Sequence, residues 1–112
     1  MHAVPVAAFD PAPTTADQEL ERYARRLLQL RRWTQARTAL HQLAVRSPHT
    51  ARVRALLAYA RGHEAAELGE RDRAASEWAR ALLFDPSFDD ARASLATARG
   101  RGGWFSRLWR RR

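Results

Sequence analysis

The run from Leu56 to Pro86, LLAYARGHEAAELGERDRAASEWARALLFDP, constrains this chain more than any other part of it. It is rich in Ala, Leu, Glu and Arg and holds no proline before its last residue, so over Leu56 to Leu68 a helix is the cheapest local state. Gly69 ends that helix. A second helix is predicted from about Asp72 to Phe84, with Ala74, Trp78, Ala81 and Leu82 recurring at spacings of three and four. It stops before Asp85-Pro86, because a residue ahead of proline is pushed out of the helical region. Each helix carries an apolar stripe that it cannot bury alone, so the unit is an α-hairpin in need of neighbours.

The same grammar recurs on both sides. Thr15 is the expected N-cap of a helix reaching about Leu30, with Asp17, Glu19 and Glu21 near its positive end and Leu20, Tyr23, Ala24, Leu27 and Leu28 on its apolar side. Trp33 and Thr34 mark a turn, Thr34 being the expected cap of a helix that buries Ala36, Leu40, Leu43 and Ala44 and ends at Ser47-Pro48. Pro48 and Pro86 stand 38 positions apart, and between them a third helix is expected with Thr50 as its N-cap, ahead of Val53, Leu56, Leu57 and Ala60. After Pro86, Ser87 is the expected cap of a fifth helix with Phe88, Ala91, Leu95 and Ala98 in one stripe and Arg92 and Arg99 facing outward. The expectation is an all-α domain over residues 15–99, preceded by a Pro/Ala-rich lead over 1–14 and followed by a Gly/Arg linker and basic tail over 100–112.

Set on Pro86 as a closing proline, the stretch resembles the tetratricopeptide repeat, a helix-turn-helix unit of about 34 residues. Gly62 falls on the small position of the first helix, Ala74 and Ala81 on the alanines of the second, and Trp78 on its aromatic; Arg61 and Ala65 depart from the usual leucine and tyrosine. Counting back from Pro48, Ala24, Leu27, Ala36, Leu40 and Leu43 take the corresponding places. The resemblance implies two helix-turn-helix repeats and a C-terminal capping helix, a short α-solenoid whose groove binds a protein or peptide partner. Glu21, Arg25 and Leu28 of the first repeat, with Tyr59, His63 and Glu67 of the second, are the groove residues it implies. Two repeats make a short array, so homodimerisation or completion by a partner is an alternative. The lysine and asparagine clamp by which some relatives grip a C-terminal carboxylate has no counterpart, since the chain has neither residue type; Arg25 replaces at most one of its charges.

Composition narrows the chemistry further. The chain lacks cysteine, which excludes disulfides, thiolate metal sites and a cysteine nucleophile. His63-Glu64-Ala65-Ala66-Glu67 has the outline of a zinc-protease motif, but Glu67 stands where the second histidine is required. No acid and base pair, nucleophile triad or glycine-rich phosphate loop is visible. The expectation is a non-enzymatic interaction module or scaffold without metal or cofactor.

The formal charge of +8 is carried entirely by arginine. Absence of lysine beside abundant alanine also fits a GC-rich coding sequence, yet a charge of this size favours an acidic partner. The N-terminal HAVPVAAF lacks a basic leader and is broken by Pro5, and no apolar run approaches the roughly 20 residues needed to span a bilayer. A cytoplasmic protein is expected. The tail sets Trp104, Phe105, Leu108 and Trp109 among Arg107, Arg110, Arg111 and Arg112, the composition of a peripheral anchor on an anionic membrane, here the inner face of the cell membrane. Three alternatives stay open: an RNA- or ribosome-associated basic protein, whose arginines and rings stack on bases; a small secretion-type chaperone; and a tail whose rings fold back onto the domain.

Overall fold

The computed structural model describes residues 14–100, and over them the chain is all-helical. Five helices follow one another: α1 (Thr15–Gln29), α2 (Trp33–Arg46), α3 (Ala51–Glu67), α4 (Arg71–Phe84) and α5 (Asp89–Gly100). The most extensive contacts join each helix to the next in the chain. Residues 1–13 of the lead expected over 1–14, and residues 101–112 of the tail expected over 100–112, lie outside the described residues.

Each break in helix has a local cause. At the end of α1, Arg32 N–H donates to Leu27 O (2.9 Å) and Arg31 N–H to Leu28 O (3.1 Å). At the end of α3, Glu70 N–H donates to Ala65 O (2.9 Å) and Gly69 N–H to Ala66 O (3.0 Å), the same pair of bonds 38 positions on. This closure requires a left-handed residue after the cap. Gly69 supplies it at φ 77° without steric cost, whereas in α1 an arginine, Arg31, is held at φ 60°. The links after α2 and α4 also match, since Thr50 N–H donates to Ser47 O and Phe88 N–H to Asp85 O, both at 3.1 Å. Ser47 and Asp85, each ahead of a proline, have φ of −132° and −141° and terminate their helices as the sequence predicts.

Several cap assignments shift. The hydroxyl that caps α1 belongs to Thr14, which accepts from Asp17 N–H at 3.0 Å, so Thr15 is the first helical residue. Thr34 lies inside α2, one residue past its start, and donates to Glu64 Oε2 instead of capping. Thr50 precedes α3 as expected, without a side-chain cap bond. Ser87 donates its hydroxyl to Asp85 Oδ1 (2.7 Å), and the first backbone bond of α5 runs from Arg92 N–H to Phe88 O, so Phe88 stands at the cap. The start of α4, expected at about Asp72, is Arg71.

Burial centres on α3, whose Val53, Ala55, Leu56, Leu57, Ala58, Ala60, Gly62 and Ala65 are all buried. One core cluster joins its first half to Ala24 and Leu27 of α1 and Ala36, Ala39, Leu40 and Leu43 of α2. A second joins Ala65 to Ala74 and Trp78 of α4 and Leu95 of α5, and a third joins Ala58, Ala81 and Ala91. Two expectations about burial are corrected. Trp33, assigned to a turn, is a buried helical residue, and Tyr23, assigned to the apolar side of α1, is 54 % exposed. Gly62 makes room for Trp78: a Cβ built on it would lie 2.4 Å from the indole Nε1 and 2.6 Å from Cδ1.

Candidate functional site

Residues four apart on a helix share a face. On α3 this puts Tyr59 and His63 together, and on α5 Asp90 and Ser94; Arg25 and Leu28 match them on α1. The three faces enclose a groove of about 380 Å³ whose lining includes Arg25, Leu28, Arg31, Trp33, Tyr59, His63, Phe88, Asp90 and Ser94. Four of the six sequence-predicted groove residues, Arg25, Leu28, Tyr59 and His63, therefore converge. Glu21 and Glu67 do not line it.

The groove floor is aromatic. His63 stacks on Trp33 with ring centroids 3.9 Å apart and planes within 9°, and its edge meets Tyr59 at 4.7 Å and Trp78 at 4.9 Å. Tyr59 in turn meets Phe88 at 5.0 Å and Trp33 at 6.0 Å. Burial, and then the nearby Arg31 charge, lower the His63 pKa to about 4, so the ring is neutral at physiological pH. Burial and the Asp90 carboxylate raise that of Tyr59, which keeps its phenol protonated. Ser94 Oγ lies 3.4 Å from His63 Nε2. A serine beside a histidine has the outline of a nucleophile and its base, but a ring with so low a pKa is a weak proton acceptor at neutral pH. The wall is cationic at Arg25 and Arg31 and anionic at Asp90, so the groove can take an apolar or aromatic group flanked by charge.

Glu21 is occupied elsewhere. Its carboxylate accepts two bonds from Arg52 of α3, at 2.9 and 3.0 Å, and one from Arg25 at 3.1 Å, and the Arg52 bonds are the main cause of its lowered pKa. It is a strut between α1 and α3. Arg37 of α2 pairs with Glu64 of α3 at 2.6 Å, and Arg46 of α2 with Asp17 of α1 at 2.9 Å. Glu67 is exposed at the C-terminal end of α3. Among the described residues no group of three or more His, Asp or Glu side chains is placed to hold a metal ion, and no helix is long and apolar enough to cross a membrane.

Sequence reasoning missed Arg31, Trp33, Phe88, Asp90 and Ser94 as groove residues. The available signal was the spacing of four between Asp90 and Ser94, which parallels Tyr59 and His63. The expected membrane contacts Trp104, Phe105, Arg107, Leu108, Trp109, Arg110, Arg111 and Arg112 lie outside the described residues. Comparison of the chain with protein-family models, curated proteins and solved structures returns no match.

Proposed function

We propose that this chain is a non-enzymatic protein-interaction module, a short tetratricopeptide-like array that holds a peptide segment in the groove between α1, α3 and α5. The observation that carries the reading is the convergence of Arg25, Leu28, Tyr59 and His63 from two helices that are distant in sequence onto one concave face. Aromatic side chains give such a face a large contact area at small conformational cost, since the rings already hold one another in place. The neutral His63 ring behaves as part of that apolar floor. Arg25 and Arg31 favour an acidic residue at one end of the bound segment, and Asp90 a basic one at the other.

The test is selection of peptides from a random display library on the full chain, followed by calorimetry on the selected sequences. The variants Leu28→Asp and Asp90→Arg change groove positions that are not deep in the core. Each should weaken binding by an order of magnitude, about 1.4 kcal/mol. Selected peptides that bind both variants as well as the parent chain would show that they recognise another surface, and the groove reading would fall.

A further inference from the structure

A second cavity, of about 330 Å³, opens between the end of α3, the start of α4 and the outer part of α5. It is the counterpart of a place 38 positions earlier in the chain, where the turns are closed by the same hydrogen bonds. There the corresponding positions are Leu28, Trp33, Leu56 and Tyr59, large side chains that line the peptide groove, with Trp33 and Leu56 only 7 % and 5 % exposed. In the second helix pair Ala66, Arg71, Ser94 and Thr97 occupy those positions, and all four line the cavity. A tryptophan, a tyrosine and two leucines have thus become small or polar residues. Trp78 does not compensate, since its indole is turned against Gly62.

We propose that this cavity is the seat of the Trp104-Phe105 pair of the chain's own C-terminal segment, which would bring to the second helix pair a ring of the kind that Trp33 brings to the first. The reach is sufficient. The cavity includes Thr97 and Ala98, within one turn of Gly100, and Ser94 is about 9 Å further back along α5. Trp104 is four residues past Gly100, a span of up to about 14 Å. Gly102 and Gly103 give the backbone the freedom to reverse direction. Tethering also makes the docking intramolecular, at an effective concentration in the millimolar range, so a modest intrinsic affinity keeps the seat filled. The opposing chemistry is that the same rings suit an anionic membrane surface. The cavity favours the internal seat, because it is largely apolar and its lining extends to within one turn of the residue from which the segment departs. The cavity shares only His63 and Ser94 with the peptide groove and does not include Leu28 or Asp90, so either assignment can fail alone.

The experiment uses the full chain labelled with 5-fluorotryptophan, its four resonances assigned by single Trp→Phe variants. The Trp104 resonance should be shifted from its denatured position and broadened little by a soluble paramagnet. Thr97→Tyr, an exposed position where a ring would enter the cavity, should release it, returning the Trp104 resonance to the solvent-exposed position. Trp104→Ser with Phe105→Ser should lower the thermal midpoint of the parent chain and leave that of the Thr97→Tyr chain unchanged. A Trp104 resonance that is solvent-exposed in the parent chain, or that responds to phosphatidylglycerol vesicles but not to Thr97→Tyr, would overturn the proposal, the latter in favour of the membrane.

Discussion

Arg31 and His63 show how single residues carry strain in this molecule, and how far the sequence displays it. Arg31 adopts the left-handed conformation that Gly69 adopts in the matching turn, and a side chain there costs about 1 kcal/mol or more. Arg31→Gly should therefore stabilise the protein by about 1 kcal/mol, raising the thermal midpoint by roughly 4–8 °C for a domain of this size. An unchanged midpoint would mean that the arginine side chain contributes contacts of equal worth. Because the Arg31 charge also helps to depress the His63 pKa, the same variant should raise that pKa. His63 is lowered from an ordinary 6.5 to about 4, so below pH 6.5 the unfolded chain binds a proton that the folded one refuses. Its contribution to stability is complete above pH 6.5 and is lost as the pH falls toward 4. Urea titrations at pH 7.5 and 5 should differ by about 1–2 kcal/mol in the parent chain and by clearly less in His63→Phe, whose ring can keep the stack on Trp33. Equal losses in both would place the acid sensitivity elsewhere. Gly69 was legible in the sequence because glycine announces a left-handed turn; Arg31 was not, because nothing about an arginine does.

At the scale of elements, α3 and α4 meet through Gly62 and Trp78. Alanine is the better helix former by about 0.8–1 kcal/mol, so in an open helix Gly62→Ala would stabilise. Here the added methyl would come within 3 Å of three indole atoms, and overpacking costs about 1–3 kcal/mol. The clash outweighs the propensity, and a net loss is expected in chemical denaturation. Gly100→Ala is the control: a Cβ there meets nothing within 4 Å, so its effect should be neutral or favourable. If both variants gained stability, the indole would have to have another accessible rotamer. The existence and order of all five helices were readable, since proline closes α2 and α4, glycine closes α3, and the spacing of three and four persists between them. What the sequence hid were pairings between elements. Glu21 looked like a groove acid because its helical face was right, but its engagement by Arg52 depends on how α1 lies against α3. Arg25, Leu28, Tyr59 and His63 were legible through the repeat resemblance, with helical spacing placing each pair on one face. Thr34 likewise has the composition of a cap, and only the fold reveals that Glu64 of another helix takes its hydroxyl.

In the whole molecule the three core clusters share one member, α3, and their margins are joined by Tyr59, packed against the second and third, and Phe88, packed against the first and third. An array in which contacts run mainly between consecutive helices could unfold piecemeal, because each terminal helix depends on few neighbours. The continuity of α3 through all three clusters opposes that, since its loss removes a wall from each. A single cooperative unfolding transition is therefore expected, with the backbone amides of Ala55 to Ala60 opening only in global unfolding and those of α5 opening earlier. Leu57→Ala, in the central helix, should cost about 2–5 kcal/mol and accelerate hydrogen exchange in every helix alike. Leu95→Ala, in the last helix, removes a side chain of the same size from a site with 8 % exposure. Its cost should be borne mainly by α5, with faster exchange there and little change in α1 and α2. Mass-spectrometric exchange on the two variants separates these patterns. If Leu95→Ala accelerated α1 as much as α5, the ends would be coupled as tightly as the centre; if Leu57→Ala left α4 and α5 protected, α3 would not be the shared wall and the protein would unfold as two halves.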